Sequence, residues 1–375
     1  MTLEEQIEAY YTGRTLLWRQ QLEAMTDEAV ATLKKTLTKI KREVMKELRN
    51  NANGLLSLSE WRKEYDEDLN KWLDEVLASA NAQTLSIISE MSINAALASV
   101  TVYNSILSLE DKAKSVIQLS GLTREQVQQF FVEQPLGGRL LSDWVNTAFS
   151  EGAKASIAEA IHTGVIRGEG YEKIINRIMK ASDFGFQITW KQADTLARTY
   201  VASANNGARE AVYKKNEDIF RGYVRVETLD NHTCRICSLA DGTFYKIGEL
   251  RPRLPAHPRC RGDYVPRLKG WNELGMEEGE SELRNFTRPW AIRGQGNLAK
   301  ANEAKVLFGG RIKGDFETWW KTLTAAQQAA TGVGPIRSKL LREGLVKWQD
   351  LSDKKTGLPY TLKQLGFDEQ GNPLR

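Results

Sequence analysis

Apolar residues recur at helical spacing through the first part of the chain. Val30, Leu33, Leu37, Ile40, Val44 and Leu48 follow steps of three and four residues, which sets them on one face of a helix. The other face carries Lys34, Lys35, Lys39, Lys41, Arg42 and Lys46 and reads as a solvated surface. Thr26 or Asp27 is placed to cap the start of this helix, and Asn50 to Gly54 to end it. Further helical regions are predicted from about Leu58 to Leu109, Leu140 to Gly164, Tyr171 to Lys180 and Gln187 to Lys215. Met91 to Leu109 contains no charged residue and is long enough to cross a bilayer. Its serines, asparagines and threonine lower its hydrophobicity, so a buried core helix is expected there.

Beyond Lys215 the period shortens to two. Gly222 to Leu229, Asp241 to Ile247 and Asp263 to Leu268 each read as a short strand, the second opened by the turn pair Asp241-Gly242. Proline placement agrees with this change. Of nine prolines, Pro135 comes first and all the others lie beyond residue 250. Because proline interrupts helices, the first 250 residues are free to form long ones and the rest should be broken and loop-rich. The predicted fold is mainly α with a small β module (α+β), divided as 1–135, a helical region; 136–270, a core of helices and β module; and 271–375, a tail with short helices. With 41% hydrophobic and 27% charged residues, the chain reads as soluble and folded. Its first residues have no basic segment leading into an apolar core, so no signal peptide is expected. Three cysteines argue against a secreted disulfide framework and for synthesis in a reducing cytoplasm.

All three cysteines lie between Asp230 and Tyr264, as Cys234-x2-Cys237 followed after 19 residues by His257-x2-Cys260. Two residues between ligands let both side chains reach one ion from a tight turn. Two such turns complete a tetrahedral Cys₃His set, which suits zinc, leaves no open coordination position, and therefore supports folding rather than hydrolysis. His232 is a rival ligand, but His257 repeats the two-residue spacing. His162 stands alone and reads as a packed or surface histidine. Two alternatives remain beside structural zinc: reduced, metal-free thiols in a packed sheet, or a catalytic metal. The redox form of the CxxC motif calls for a strand-to-helix step, whereas strands are predicted here. The deaminase form is excluded by the reversed order of the ligands and by Arg259 where a glutamate is needed.

Charge adds a possible partner. Lys246 to Lys269 holds seven basic residues against Glu249 and Asp263, a local net charge of +5 in a chain of +4. Arg251, Arg253, Arg259 and Arg261 lie on or beside the loop that the metal set would close, and so are candidates for contact with DNA or an acidic protein surface.

The residues Thr228, Leu229, Asp230, Cys234, Cys237, Gly242, His257, Pro258, Cys260 and Arg261 form a pattern that resembles the phage Mu F-like head-morphogenesis family, minor head proteins of tailed phages. Gln192 to Asn216 resembles the family's preceding helix. The resemblance covers about Leu140 to Leu268, with a weaker one over Gly334 to Phe367. Many members continue Cys-Arg-Cys where this chain has Gly262, which leaves four candidate ligands. The resemblance implies a non-enzymatic virion protein in the head interior or portal vertex, assembled in the host cytoplasm. Implied partners are portal protein, major capsid or scaffolding protein, and phage DNA during packaging or ejection. Alternatives are a metal-dependent, nuclease-like nucleic-acid enzyme using the cysteine cluster, or a membrane-active ejected protein using Met91 to Leu109. Some relatives carry toxin domains. Glu278 and Glu280 form an E-x-E, but no nucleotide-binding arginine pattern accompanies it, so no toxin activity is expected.

Overall fold

The computed structural model describes residues 3–56, 63–107, 121–129, 135–136, 138–167, 169, 171–269, 288–293 and 306–374. It is mainly helical with a small β module. The helices are α1 (Leu3–Leu56), α2 (Lys63–Leu107), the single turn α3 (Arg124–Val127), α4 (Leu141–Phe149), α5 (Ala155–Ile166) and α6 (Tyr171–Lys214). A π-helical turn, Ser150–Lys154, joins α4 to α5. The strands are β1 (Phe220–Val226), β2 (Leu229–Asp230), β3 (Phe244–Lys246), β4 (Asp263–Leu268), β5 (Arg288–Arg293) and β6 (Val306–Ile312). Short helices α7 (Arg235–Ala240), α8 (Phe316–Lys321), α9 (Ala325–Ala329) and α10 (Pro335–Arg342) complete the order.

Two of the expected helix limits are corrected. Helix α1 runs unbroken through Thr26, Asp27 and Gly54. Its buried stripe includes Tyr11, Thr15, Trp18, Leu22, Thr26, Val30, Leu33, Leu37, Ile40 and Val44, so Thr26 is a stripe position rather than a cap. Likewise Tyr171–Lys214 is one helix of 44 residues, not two. Ser182 and Thr189 continue its buried face where an apolar side chain was expected.

The chain forms two compact units. The first comprises residues 24–97 and 123–205. In it Lys154 pairs with Asp74 at 2.7 Å, and Arg198 bridges Asp27 at 2.6 Å and Asp194 at 2.9 Å. Gly152 and Gly185 let the π-turn and α6 approach closely: a Cβ on Gly185 would stand 2.7 Å from the Gly152 carbonyl oxygen. Thr189 fills the same contact, accepting from Ala153 N at 3.2 Å and donating to Ala148 O at 3.1 Å.

The second unit comprises residues 1–23, 98–122 and 206–375. It holds two three-stranded sheets. In one, β1 lies between β3 and β4 and is antiparallel to both, with Tyr223 opposite Tyr245 and Pro266. In the other, β5 pairs in parallel with β2 and antiparallel with β6. An aromatic group of Tyr103, Tyr213, Phe220 and Tyr223 packs at centroid separations of 5.7–6.0 Å. A second core gathers Leu229, Leu239, Phe316, Trp319, Trp320, Val333, Trp348 and Leu351. Short, broken helices were expected after residue 250; that they enclose this tryptophan-rich core was not.

Candidate metal centre

Strand β1 feeds β2, and the chain then turns into α7. Thr228 O accepts from Thr233 Oγ1 at 2.6 Å, while Asp230 Oδ1 accepts from His232 N at 3.1 Å and Thr233 Oγ1 at 3.0 Å. This turn delivers Cys234 as the residue before α7 and Cys237 as a buried residue within it. The CxxC thus sits at the start of a short helix, where the sequence suggested only strands. Gly242, at φ 79°, then reverses the chain into β3.

The second ligand turn lies just ahead of β4. Cys260 N donates to His257 O at 3.1 Å, with Arg259 at φ 60° between them, a left-handed conformation that is strained for a residue with a side chain. The two turns are tied by Arg261, which donates to both oxygens of Asp230 at 2.8 and 2.7 Å and to Thr233 Oγ1 at 3.1 Å. Arg261 therefore joins the residues flanking the two ligand pairs.

His257 Nε2 lies 3.1 Å from both Cys234 Sγ and Cys237 Sγ. Cys237 Sγ lies 3.8 Å from Cys260 Sγ. Cys234, Cys237 and His257 form one group able to hold a metal; Glu227, Cys237 and Cys260 form an overlapping one. A tetrahedral zinc with bonds of about 2.3 Å to sulfur and about 2.0–2.1 Å to nitrogen sets sulfurs about 3.8 Å apart and sulfur to nitrogen about 3.6 Å apart. The Cys237–Cys260 separation matches, and the imidazole stands about half an ångström closer to its sulfurs. His257 Nδ1 lies 2.8 Å from Pro258 O. A carbonyl only accepts, so Nδ1 carries a proton and Nε2 of the neutral ring is the ligand atom, directed at the sulfurs. Cys237 is common to both groups, so Cys234, Cys237, His257 and Cys260 lie around one point without all four standing within ligand distance of one another; a metal drawn between them would hold the two ligand turns together. His232 belongs to neither group and lies half-buried.

Proton positions follow from the same contacts. Hydrogen bonding from Cys237 and from His257 holds the Cys234 thiol down at about 4 against the cost of burial. His257 is raised to about 9 by Cys234, despite partial burial. Cys237 is pushed far up because it donates to Cys234 and Cys260 and is buried. Cys260 is held well below its ordinary value by accepting from Cys237.

The second metal-capable group exposes residues that spacing did not identify. Arg225 and Glu227, alternate residues spanning the end of β1, are both fully buried. Arg225 Nε donates to Glu227 Oε1 at 2.8 Å, and its Nη2 reaches Cys237 Sγ at 3.5 Å. Burial raises Glu227 to about 7 against the opposing pull of Arg225. Gly262 packs on this carboxylate, so closely that any Cβ would collide with it. Asp241 receives Glu227 N and Phe316 N at 2.6 Å each and a two-pronged contact from Arg288 at 2.8 and 2.9 Å. The signal for these was two opposite charges, at positions 225 and 227, directly after the apolar run Tyr223-Val224 and around Val226.

Residues 155–265 match the family described as Phage Mu protein F like protein. This segment is similar to that family. No curated protein and no solved structure matches the chain. The resemblance carried by the cysteine stretch holds over the matched segment, and all ten of its signature residues lie in it. The fold gives several of them a physical role. Asp230 and Arg261 bridge the ligand turns, Leu229 enters the tryptophan core, and Gly242 supplies the positive φ.

Of the four basic candidates, Arg251 and Arg261 make contacts within the protein. Arg261 is bound to Asp230. Arg251 lies between the rings of Tyr223 and Tyr264, 4.2 and 4.4 Å from their centroids, and pairs with Glu210 at 2.9 Å. Arg253 is exposed and Arg259 half-buried. Glu278 and Glu280 lie outside the described residues. Helix α2 is long and apolar enough, from Leu73 to Leu107, to cross a membrane by composition, and Ile88, Ile93, Ala96, Val100, Tyr103 and Ile106 on it are buried within the protein.

Proposed function

We propose that this chain is a non-enzymatic head-morphogenesis protein of a tailed phage, a minor component of the virion at the head interior or portal vertex. The observation that carries this reading is the Mu F-like match over residues 155–265, supported by Cys234, Cys237 and His257 lying in one metal-capable group and Cys260 in an overlapping one. In this reading residues 136–270 are the Mu F-like core, 1–135 a helical region that packs against portal, capsid or scaffolding protein, and 271–375 a tail folded onto the core. Zinc held by Cys234, Cys237, His257 and Cys260 acts as a structural clamp. Three thiolates and an imidazole fill a tetrahedral shell, and Cys237, Cys260 and Glu227 are buried from any polymeric substrate. That favours the clamp over a nuclease. The buried face of α2 favours a core helix over a membrane-active segment.

The candidates for partner contact remain Arg251, Arg253, Arg259 and Arg261; Arg251 and Arg261 also hold the loop from within, and Arg253 is the exposed one. The acidic partner is a portal surface or phage DNA. Co-expression with portal protein tests the proposal: the chain should co-purify with portal and carry one zinc per chain. An Arg253→Glu variant should fold, keep its metal and weaken the partner contact. Failure of the wild-type chain to associate with portal, capsid or scaffolding protein would dismiss the assignment.

A further inference from the structure

A dication with three thiolates and one neutral imidazole carries a net negative charge. Burying that charge is costly unless a cation compensates it. The described surroundings of the cluster supply one cation in direct contact. Arg225 has no exposed surface, and its Nη2 lies 3.5 Å from Cys237 Sγ. Its Nε is taken by Glu227, whereas its Nη1 has no hydrogen-bond acceptor in the protein. One fork of the guanidinium thus meets a carboxylate and the other the metal-binding sulfur. Glu227 is itself fixed: its backbone N donates to Asp241, and Gly262 packs on its carboxylate.

We propose that Arg225 is the positioning residue of the metal centre, a buried counter-cation whose hydrogen bond holds Cys237 as a thiolate ligand and whose own position is set by Glu227. The inference rests on the metal-clamp reading. Arginine suits this role because its planar fork can address a carboxylate and a sulfur at once and keeps its charge when buried. Outer-shell partners of metal ligands commonly change metal affinity by about 10–100-fold when removed.

Removing Arg225 alone would leave Glu227 buried without its partner, so the test uses a neutral background. The full chain, its Glu227→Gln variant and the Glu227→Gln/Arg225→Met double variant are loaded with zinc, and in parallel with cobalt(II). Release to a chromogenic chelator is timed, and the sulfur-to-cobalt charge-transfer band is recorded. Glu227→Gln keeps an amide oxygen for Arg225 Nε and sets the reference release rate, since Glu227 itself stands in the second metal-capable group. Adding Arg225→Met should accelerate release about 10–100-fold and weaken the charge-transfer band. Arg225→Lys, which keeps a cation without the fork, should fall between. Equal release from the double variant and from Glu227→Gln would overturn the proposal while leaving the clamp standing. Arg225→Lys as fast as the methionine variant would also overturn it. A wild-type chain that binds neither ion would remove the clamp and this inference together.

Discussion

Asp263 is the residue whose loss should be felt most in the second unit. It is fully buried at the start of β4, three positions after Cys260. Its carboxylate accepts from Tyr103 Oη at 2.6 Å, from Tyr264 N at 2.8 Å and from the guanidinium of Arg209. Tyr103 comes from α2 and Arg209 from α6, so one carboxylate ties two helices to the sheet that carries the site. Arg209 is 1% exposed, and burial would disfavour its charge were Asp263, Glu210 and Tyr103 not beside it. Asp263→Ala strands that cation. Removing one partner of a buried pair costs about 3–5 kcal/mol, and an orphaned hydroxyl such as that of Tyr103 about 1–3 kcal/mol. The terms overlap, and Asn206 and Glu210 still contact Arg209, each at 2.6 Å, so a loss of about 4 kcal/mol is expected. That is a large share of the roughly 5–15 kcal/mol that holds a domain together. Urea unfolding followed by tryptophan emission reads it as a lower midpoint. The double variant Asp263→Ala/Arg209→Met should recover at least half the loss, because the stranded charge is gone. A single-variant cost under about 1 kcal/mol, or double-variant losses that simply add, would refute the reasoning.

Stripping the metal with a chelator should shift tryptophan emission to the red, because α7 carries Cys237 into the cluster and Leu239 into the core with Trp319, Trp320 and Trp348; zinc should restore it, and unchanged emission would count against the shared helix. Glu210 lies below its ordinary value of 4.5, because Arg209 and Arg251 outweigh the effect of burial. Its contribution is therefore present above that value and lost as pH falls through the lower folded value, so the unfolding midpoint of wild type should drop more on acidification than that of Glu210→Gln. Arg259→Gly relieves a left-handed residue and should raise stability by up to about 1 kcal/mol while weakening partner binding; a stability loss would show that its side chain matters more than its strain. Gly262→Ala drives a methyl group into Glu227 and should speed metal release to a chelator; unchanged release would show that the strand yields there.

Much of this was legible in the chain. The stripe from Val30 to Val44 is buried, and the three strands around the cysteines appear in the fold. What was not legible has identifiable causes. Helix α1 and α6 were cut short because buried Thr26 and Ser182 imitate breaks in an apolar pattern. Helix α7 was missed because its six residues, one of them the ligand candidate Cys237, carry too little periodicity. Arg251 and Arg261 look like surface charges until the fold brings Tyr223, Tyr264, Glu210 and Asp230 around them from distant positions. The tryptophan core depends on residues between Leu229 and Leu351, a span that no local pattern reports.

One long-range contact bears on how the molecule comes together. Arg19, buried on α1, donates to the carbonyl oxygen of Cys260 at 3.4 Å across 241 residues of chain. The ligand pairs are separated by only 19 residues and can close as soon as that segment exists, but the first turns of α1 must wait for most of the polypeptide. During synthesis the N-terminal helix therefore emerges long before its docking partner, with Tyr10, Tyr11, Trp18 and Leu22 still uncovered. The metal-bearing unit can capture its earliest-made segment only once Cys260 has been synthesised, so slow elongation between residues 23 and 260 prolongs the interval in which that apolar face is open to chaperones or to a second copy.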